Sequence, residues 1–182
     1  MWKGEILSVH IAAEAMAPMS QAPEVRAVAG KGIEGDRYYK GIGFFSHNKG
    51  VHRQITLFES EVLETIRRDH NKDLSPNECR MNLVTREAPL SHLVGKKFRV
   101  GEVVLRGVKL NEPCKHLEEV IGKPIISSLI HRCGLFAEIL EGGVIRPGDS
   151  VEELDSGGSG ARGHSRRDDT TNPHSISADD SP

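Results

Sequence analysis

The chain has 182 residues, of which 37% are hydrophobic, 4% aromatic and 27% charged, and its formal net charge is -2. This length accommodates one domain with a tail. The balanced charge excludes a protein that binds nucleic acid by phosphate neutralisation alone. For the same reason, adhesion to anionic membranes is not expected. No apolar run approaches the roughly 18 residues that span a bilayer, and charged residues interrupt the N-terminus, so we expect a cytoplasmic protein without a secretory signal.

Eight short segments have the alternating or β-branched composition of strands and are separated by Gly and Pro. They are GEILSVHI (4–11), EVRAV (24–28), RQITLFE (53–59), MNLVT (81–85), KKFRVG (96–101), EVVLRGVKL (102–110), GLFAEIL (134–140) and SVEEL (150–154). Residues 99–103 fit the tight turn of a β-hairpin.

Three segments have helical periodicity. Residues 60–71 place Val62, Leu63 and Ile66 on one stripe. Residues 114–121 end before a glycine, which is typical of a helix C-cap, and residues 124–132 begin with a proline, which suits a first turn. Many short strands with few helices predict a mainly β fold, a small β-barrel with helical additions.

The composition changes after Leu154. Residues 155–182 contain a single large aliphatic residue, Ile176, and cannot bury enough apolar surface to offset the entropy of ordering. We therefore predict one folded domain over 1–154 and a disordered tail over 155–182. Without the tail, 21 basic residues balance 21 acidic ones.

Three cysteines, Cys79, Cys114 and Cys133, form no CxxC pair. The odd number argues against a disulfide framework and against a Cys₄ zinc site. A zinc site from Cys114-x-His116 and His131-x-Cys133 is disfavoured, because a spacing of one residue places side chains on opposite faces of a strand or about 200° apart on a helix. We interpret Cys79 and Cys133 as small packing residues.

Cys114 has a different setting, directly after Pro113 and at the predicted start of a helix. Unpaired backbone N–H groups at that position, with Lys115 and His116 beside it, favour a thiolate over a thiol. A thiolate is a nucleophile or a ligand for a soft metal. The alternative interpretation, a structural cysteine that caps the helix, stays open.

Five further residues are candidate ligand contacts. Arg37 ends the glycine-rich stretch 30–37 and offers a planar donor fork for phosphate or carboxylate, although a turn with a structural Asp–Arg pair explains the stretch equally well. Arg80 and Asn82 would alternate onto one face of a strand, where they either recognise a phosphorylated, amide-bearing heterocycle or form a solvated rim. His131 and Arg132 would supply two donors at a helix end.

The segment 38–53 contains four of the eight aromatic residues among glycines and polar residues. Apolar rings on such a loop indicate a lid or a contact surface, or a loop folded onto the domain.

Taken in chain order, five stretches resemble the MOSC family, the module found at the C-terminus of molybdenum cofactor sulfurases and as free-standing proteins. They are GKGIEGDRY (30–38), RMNLVT (80–85), LVGKKFRVGEVVLRGVKLNEPCKHLE (93–118), LIHRCGLFAEIL (129–140) and GGVIRPGDSV (142–151). The resemblance covers most of 3–154 and leaves the tail outside.

This resemblance implies a barrel like that of MOSC and pyruvate-kinase-barrel proteins, with Cys114 at the family's key cysteine position. There the residue would be a thiolate ligand of molybdenum or would form a persulfide. Arg80 and Asn82 match the R-x-N motif and would lie near the phosphate and pterin of the molybdenum cofactor (molybdopterin). Arg37 matches the end of the GDR motif, and His131 with Arg132 matches a helix-end pair.

The resemblance also implies two functions. In the first, the protein binds molybdenum cofactor and reduces N-hydroxylated or N-oxide small molecules with electrons from a donor protein. In the second, it is a sulfur carrier that receives a Cys114 persulfide from a cysteine desulfurase. Pyridoxal phosphate is not expected on this chain. A barrel scaffold that binds proteins without chemistry is a third hypothesis, and the oligomeric state is left open.

Overall fold

The computed structural model describes residues 2–48, 50 and 53–154. Within them the strands are β1 (Gly4–Ile11), β2 (Ser20–Ala22), β3 (Val25–Val28), β4 (Gly32–Ile33), β5 (Ile55–Glu59), β6 (Leu83–Arg86), β7 (Lys97–Val100), β8 (Val103–Leu110), β9 (Leu135–Glu141), β10 (Gly143–Ile145) and β11 (Ser150–Glu153). The helices are α1 (Ser60–His70), α2 (Lys115–Ile121) and α3 (Ile126–Leu129), with short 3₁₀ helices at Pro76–Cys79 and Leu90–Leu93.

Seven strands close into a barrel in the order β1, β11, β7, β8, β9, β5, β6 and back to β1. Neighbours are antiparallel except for β5 and β6, which are parallel. Since α1 lies between them in the chain, it supplies the crossover that a parallel pair needs. β2 extends the pairing of β1, and β10, β3 and β4 form a separate three-stranded sheet. The predicted mainly β, barrel-like fold is confirmed.

Two hydrophobic clusters form the core. The first contains side chains from all seven barrel strands, including Ile6, Leu57 and Phe98. The second packs the helices against the outside of the barrel, with Phe58 of β5 facing Ile66 of α1 and neighbouring residues. Leu57 and Phe58 belong to different clusters because successive side chains of a strand point to opposite faces. The second cluster, which includes Cys79 and Cys133, forms one wall of the site described below.

The eight predicted strands are all present, while β2, β4 and β10, of three residues or fewer, were not predicted. The helix predicted over 60–71 is α1, and α2 begins after its N-cap Cys114 and ends at Gly122, whose φ is 68°. The third predicted helix was too long: α3 covers four residues, because Ile130 has extended backbone and His131 has a φ of 62°. The predicted tail lies outside the described residues.

No helix within the described ranges is long and apolar enough to cross a membrane.

His10 on β1 should make the fold sensitive to acid. The residue is 2% exposed, its Nδ1 has no hydrogen-bond partner within the described chain, and burial lowers its pKa below the usual 6.5. Below about pH 6.5 the unfolded chain therefore binds a proton that the folded chain does not, and the free energy of unfolding falls by at most about 1.4 kcal/mol per pH unit.

We expect urea unfolding at about pH 5.5 and about pH 7.5 to show this loss in the wild type and a smaller loss in His10→Gln. The exposed His92→Gln is the matched control and should keep the wild-type dependence. An identical pH dependence in His10→Gln and the wild type would contradict the assignment.

Candidate functional site

A cleft opens at one end of the barrel, where β5, β6 and β9 begin, β8 ends and the second cluster starts. It has a volume of about 630 Å³ including its open mouth. The predicted residues Arg37, Arg80, Asn82 and Cys114 all line it. The other lining residues are Ala15, Tyr38, Phe45, Arg53, Thr56, Cys79, Met81, Asn111, Glu112, His116, Leu117 and Phe136.

Cys114 is the half-buried thiol of this cleft. It is the N-cap of α2, with extended backbone (φ -140°), and its carbonyl oxygen accepts the N–H of Leu117 at 3.0 Å. Its side chain makes no capping hydrogen bond. The sulfur is therefore not engaged in the capping role that the structural alternative required, and it lies on the cleft wall.

Cys79 and Cys133 are 1% exposed and belong to the second cluster. Burial raises the pKa of both thiols, that of Cys133 to about 12, so both are protonated at neutral pH. Asn111 donates from Nδ2 to the carbonyl oxygen of Cys133 at 3.2 Å. These surroundings confirm the interpretation of both as packing residues, although Cys79 also touches the cleft.

No zinc ligand set is present in the described part of the chain. No three His, Cys, Asp or Glu side chains there are grouped so that they could hold a metal ion. His116 stacks on Phe44, with ring centroids 3.7 Å apart, whereas His131 pairs with Glu112. The two histidines of the disfavoured zinc alternative therefore have separate partners.

Asp36 and Arg37 form a buried ion pair beside the cleft. Asp36 accepts the backbone N–H of Tyr38 on Oδ1 at 3.0 Å and that of Ala12 on Oδ2 at 3.1 Å. Arg37 is 7% exposed, and its Nη1 lies 3.3 Å from Asp36 Oδ2. The structural Asp–Arg pair that the sequence suggested is present, and Arg37 also lines the cleft.

Arg80 reaches the cleft through an unusual backbone conformation. Its φ is 59°, at the C-cap of the 3₁₀ helix Pro76–Cys79, and its guanidinium donates to the carbonyl oxygens of Ala15 (2.9 Å) and Ala17 (2.8 Å). Burial and the neighbouring Arg37 lower its pKa to about 10, so it stays charged at neutral pH. The predicted strand alternation around Arg80 is wrong: Met81 lines the cleft as well, since β6 begins later and the left-handed residue rotates the chain.

Asn82 has its amide fully engaged within the protein. Oδ1 accepts the N–H and the hydroxyl of Thr56, at 3.1 and 2.9 Å, while Nδ2 donates to the His10 carbonyl oxygen at 3.2 Å and towards Asp36 Oδ2 at 3.5 Å. These bonds connect the approaches to β5 and β6 with β1. Asn82 therefore holds the cleft wall together, and its amide groups are already satisfied by the protein.

His131 and Arg132 do not line the cleft. The His131 side chain is 82% exposed and its Nδ1 lies 2.9 Å from Glu112 Oε1, and Arg132 Nη2 lies 3.3 Å from His70 Nε2. Because α3 ends at Leu129, the two residues belong to a turn and are not the helix-end pair that the sequence predicted. Hydrogen bonds from His131 lower the pKa of Glu112, the carboxylate at the rim of the cleft.

The aromatic loop lies over the cleft. Tyr38 and Phe45 line it, and Phe44 covers His116. Burial, Arg80 and Arg37 lower the pKa of His116, which is therefore neutral near pH 7 and does not add the positive charge that the sequence suggested. Arg53 is a lining residue that sequence reasoning missed. Its position at the end of the aromatic segment, two residues before the buried strand β5, was the available signal.

Residues 45–152 match the MOSC domain family profile. The fold is similar to that of the YuaD protein from Bacillus subtilis, with a TM-score of 0.70 at 19% identity over 84% of this chain and 98% of that one. It is also similar to YiiM from Geobacillus stearothermophilus (TM-score 0.65, 14% identity, 86% and 77% of the two chains) and to YiiM from Escherichia coli (0.58, 19%, 94% and 73%). No curated protein matches the sequence. The profile match extends over more than half of the chain, and the chain belongs to the MOSC domain family.

Proposed function

We propose that this protein binds a molybdenum cofactor in the cleft, with the Cys114 thiolate as a ligand of the metal. We further propose that it reduces N-hydroxylated or N-oxide small molecules. MOSC domains are generally associated with this cofactor. The observation that carries the proposal is a cleft lined both by a thiol free of capping bonds and by three arginines, Arg37, Arg53 and Arg80.

The donor set fits such a group. A thiolate is a preferred ligand for a soft metal, and guanidinium groups bind phosphate through charge-assisted hydrogen bonds. Glu112 is the carboxylate among the described lining residues, and its two oxygens are already engaged by the backbone N–H and the ring of His131.

In the proposed reaction, the residues of the cleft would have separate roles. When bound, the cofactor would supply a metal centre that accepts an oxygen atom from the substrate and provides the two electrons for the substrate's reduction. Cys114 would hold the metal, and Arg37 and Arg80 would provide a positive field for the phosphate. The Asn82 network keeps the strands that carry these residues in place, and Tyr38 and Phe45 shape the cleft.

The electrons would come from a donor protein. The sequence has neither a flavin motif nor the four cysteines that an iron–sulfur cluster takes as ligands, since its three cysteines include two that are buried. A second protein must therefore approach the open mouth of the cleft to complete each cycle.

The accessible thiol supports a second candidate function, that of a sulfur carrier. The Cys114 thiolate would attack the outer sulfur of a persulfide on a cysteine desulfurase, forming a new S–S bond while the donor sulfur leaves as a thiolate. Mass spectrometry after incubation with a desulfurase and cysteine tests this candidate. An adduct of about 32 Da on Cys114 supports it, and an unmodified residue excludes it.

Metal content tests the main proposal. The full chain, produced in a host that makes the cofactor, should contain stoichiometric molybdenum by plasma mass spectrometry. Cys114→Ser should lose the metal, because a serine hydroxyl is a far poorer soft-metal ligand than a thiolate. Cys133→Ser, which changes a buried thiol outside the cleft lining, is the matched control and should retain it. Metal-free wild type, or undiminished loading in Cys114→Ser, contradicts the proposal.

A further inference from the structure

Arg53 has surroundings unlike those of the other two arginines of the cleft. It lies just before β5, and its guanidinium carbon is 4.5 Å from the ring centroid of Phe45, 5.3 Å from that of Phe136 and 5.7 Å from that of Tyr38. Rings at these distances attract the cation while leaving the N–H groups at the edge of the guanidinium plane available. The three rings thus fix the position of the Arg53 guanidinium without accepting hydrogen bonds from its N–H groups in their planes.

The hydrogen bonds of the three arginines show the same difference. Arg37 is paired with Asp36, and Arg80 donates to Ala15 and Ala17. Arg53 has no acceptor among the described residues, and its buried Nε is without any hydrogen-bond partner there. A buried donor left unpaired costs free energy, so such a group in a cleft indicates a ligand that completes it.

A second, more open cavity adjoins the cleft at the same residue. Arg53 and Tyr38 line both cavities, and the second has a volume of about 800 Å³ including open space. Lys31 and Ser46 also line it, and the buried Ser46 hydroxyl has no partner in the described part of the chain. No carboxylate is among the described residues that line this cavity. Positive charge and two unpartnered donors therefore border the second cavity, and Arg53 lies where this cavity joins the cleft.

We propose that Arg53 and Ser46 form an oxyanion subsite at this junction, which takes the phosphate monoester of a ligand bound in the cleft. The assignment rests on the proposed function, in which that ligand is phosphorylated. The guanidinium matches two phosphate oxygens with two N–H groups, and the Ser46 hydroxyl donates to a third once its side chain rotates towards the cavity. Arg37 and Arg80, already bonded within the protein, then act mainly through their charge.

Inorganic phosphate is the probe that tests the subsite. We expect isothermal titration of the cofactor-free full chain to detect phosphate binding, weakened about tenfold or more in Arg53→Gln and by a smaller factor in Ser46→Ala. Arg53→Lys keeps the charge but not the fork and should bind with intermediate affinity. Arg67→Gln removes an exposed arginine of α1 and should bind like the wild type. Thermal unfolding confirms that each variant is folded.

Equal phosphate affinity in Arg53→Gln and the wild type overturns the proposal, as does a wild type that binds no phosphate. The same phosphate titration of cofactor-loaded protein identifies the source of the phosphate. If the loaded protein no longer binds inorganic phosphate, the cofactor's own phosphate fills the subsite. If it still binds inorganic phosphate, the subsite takes free phosphate. The two proposals can fail separately. If the protein contains no molybdenum but binds phosphate through Arg53, the subsite proposal is supported and the cofactor proposal is contradicted. If the protein contains molybdenum but its phosphate binding does not depend on Arg53, the cofactor proposal is supported and the subsite proposal is contradicted.

Discussion

Replacing Asp36 by Asn should destabilise the fold by about 3–5 kcal/mol, because it leaves a buried guanidinium without its counter-charge. Asp36 is 3% exposed and Arg37 is 7% exposed, so water cannot take over from the carboxylate. The amide also cannot accept on both of its terminal atoms, so one of the backbone donors of Tyr38 and Ala12 loses its acceptor. The loss should extend to the cleft, since Asn82 is also within reach of Asp36.

Guanidinium chloride unfolding of Asp36→Asn and of the wild type measures this loss. The matched control is Asp69→Asn, which removes the carboxylate of an exposed ion pair with Arg68 (2.6 Å) and should unfold with the wild-type midpoint. If Asp36→Asn were as stable as Asp69→Asn, Arg37 could not depend on Asp36, and the description of this pair as a support of the cleft would be wrong.

Gly134→Ala should destabilise the protein by about 2–5 kcal/mol, from left-handed backbone and overpacking together. Gly134 has a φ of 99°, and a Cβ at this position would lie 2.2 Å from the carbonyl oxygen of Leu57. The obstacle is the backbone of β5 itself, which cannot move without disturbing its pairing with β9. Glycine is therefore required where the chain leaves Cys133 and enters β9.

Gly122→Ala is the comparison that separates the cost of left-handed backbone from the cost of a steric clash at the new Cβ. Gly122 has a φ of 68° as the C-cap of α2, but no atom lies within 4 Å of a Cβ built there. Its alanine variant should lose only about 1 kcal/mol, the cost of the left-handed conformation alone. Denaturant unfolding of both variants should place Gly134→Ala well below Gly122→Ala, and equal losses would show that the contact with Leu57 is relieved.

The barrel was predictable because most of its strands can be recognised from the local pattern of their own residues. β1 coincides with the predicted 4–11, since alternation of apolar and polar residues along a strand is a sequence property. β4 has two residues, too few for any alternation, and depends on its pairing with β3. The end of α3 was missed because the turn at His131 is stabilised by Glu112, nineteen residues earlier, which accepts its backbone N–H.

The membership of the site was predictable only in part, because His131 and Arg132 do not line the cleft whereas Arg53 does, and the roles of its residues were not predictable. Family motifs placed Arg37, Arg80, Asn82 and Cys114 together, and the structure brings all four to one cleft. The sequence could not show that Asn82 is satisfied by Thr56 and His10, because these partners are 26 and 72 residues away. Arg53 carries no motif at all, and its importance depends on three rings that meet only in the folded chain.

The barrel is closed by the pairing of β1 with β11, in which Gly4 lies opposite Val151, and this has a consequence while the chain is being synthesised on the ribosome. The first strand leaves the ribosome long before its last neighbour exists, so β1 and β7 each keep an unpaired edge until residues 150–153 emerge. Exposed edges of this kind recruit strands of other chains. The nascent barrel is therefore most prone to aggregation just before its final strand is made, and truncation ahead of β11 would make that state permanent.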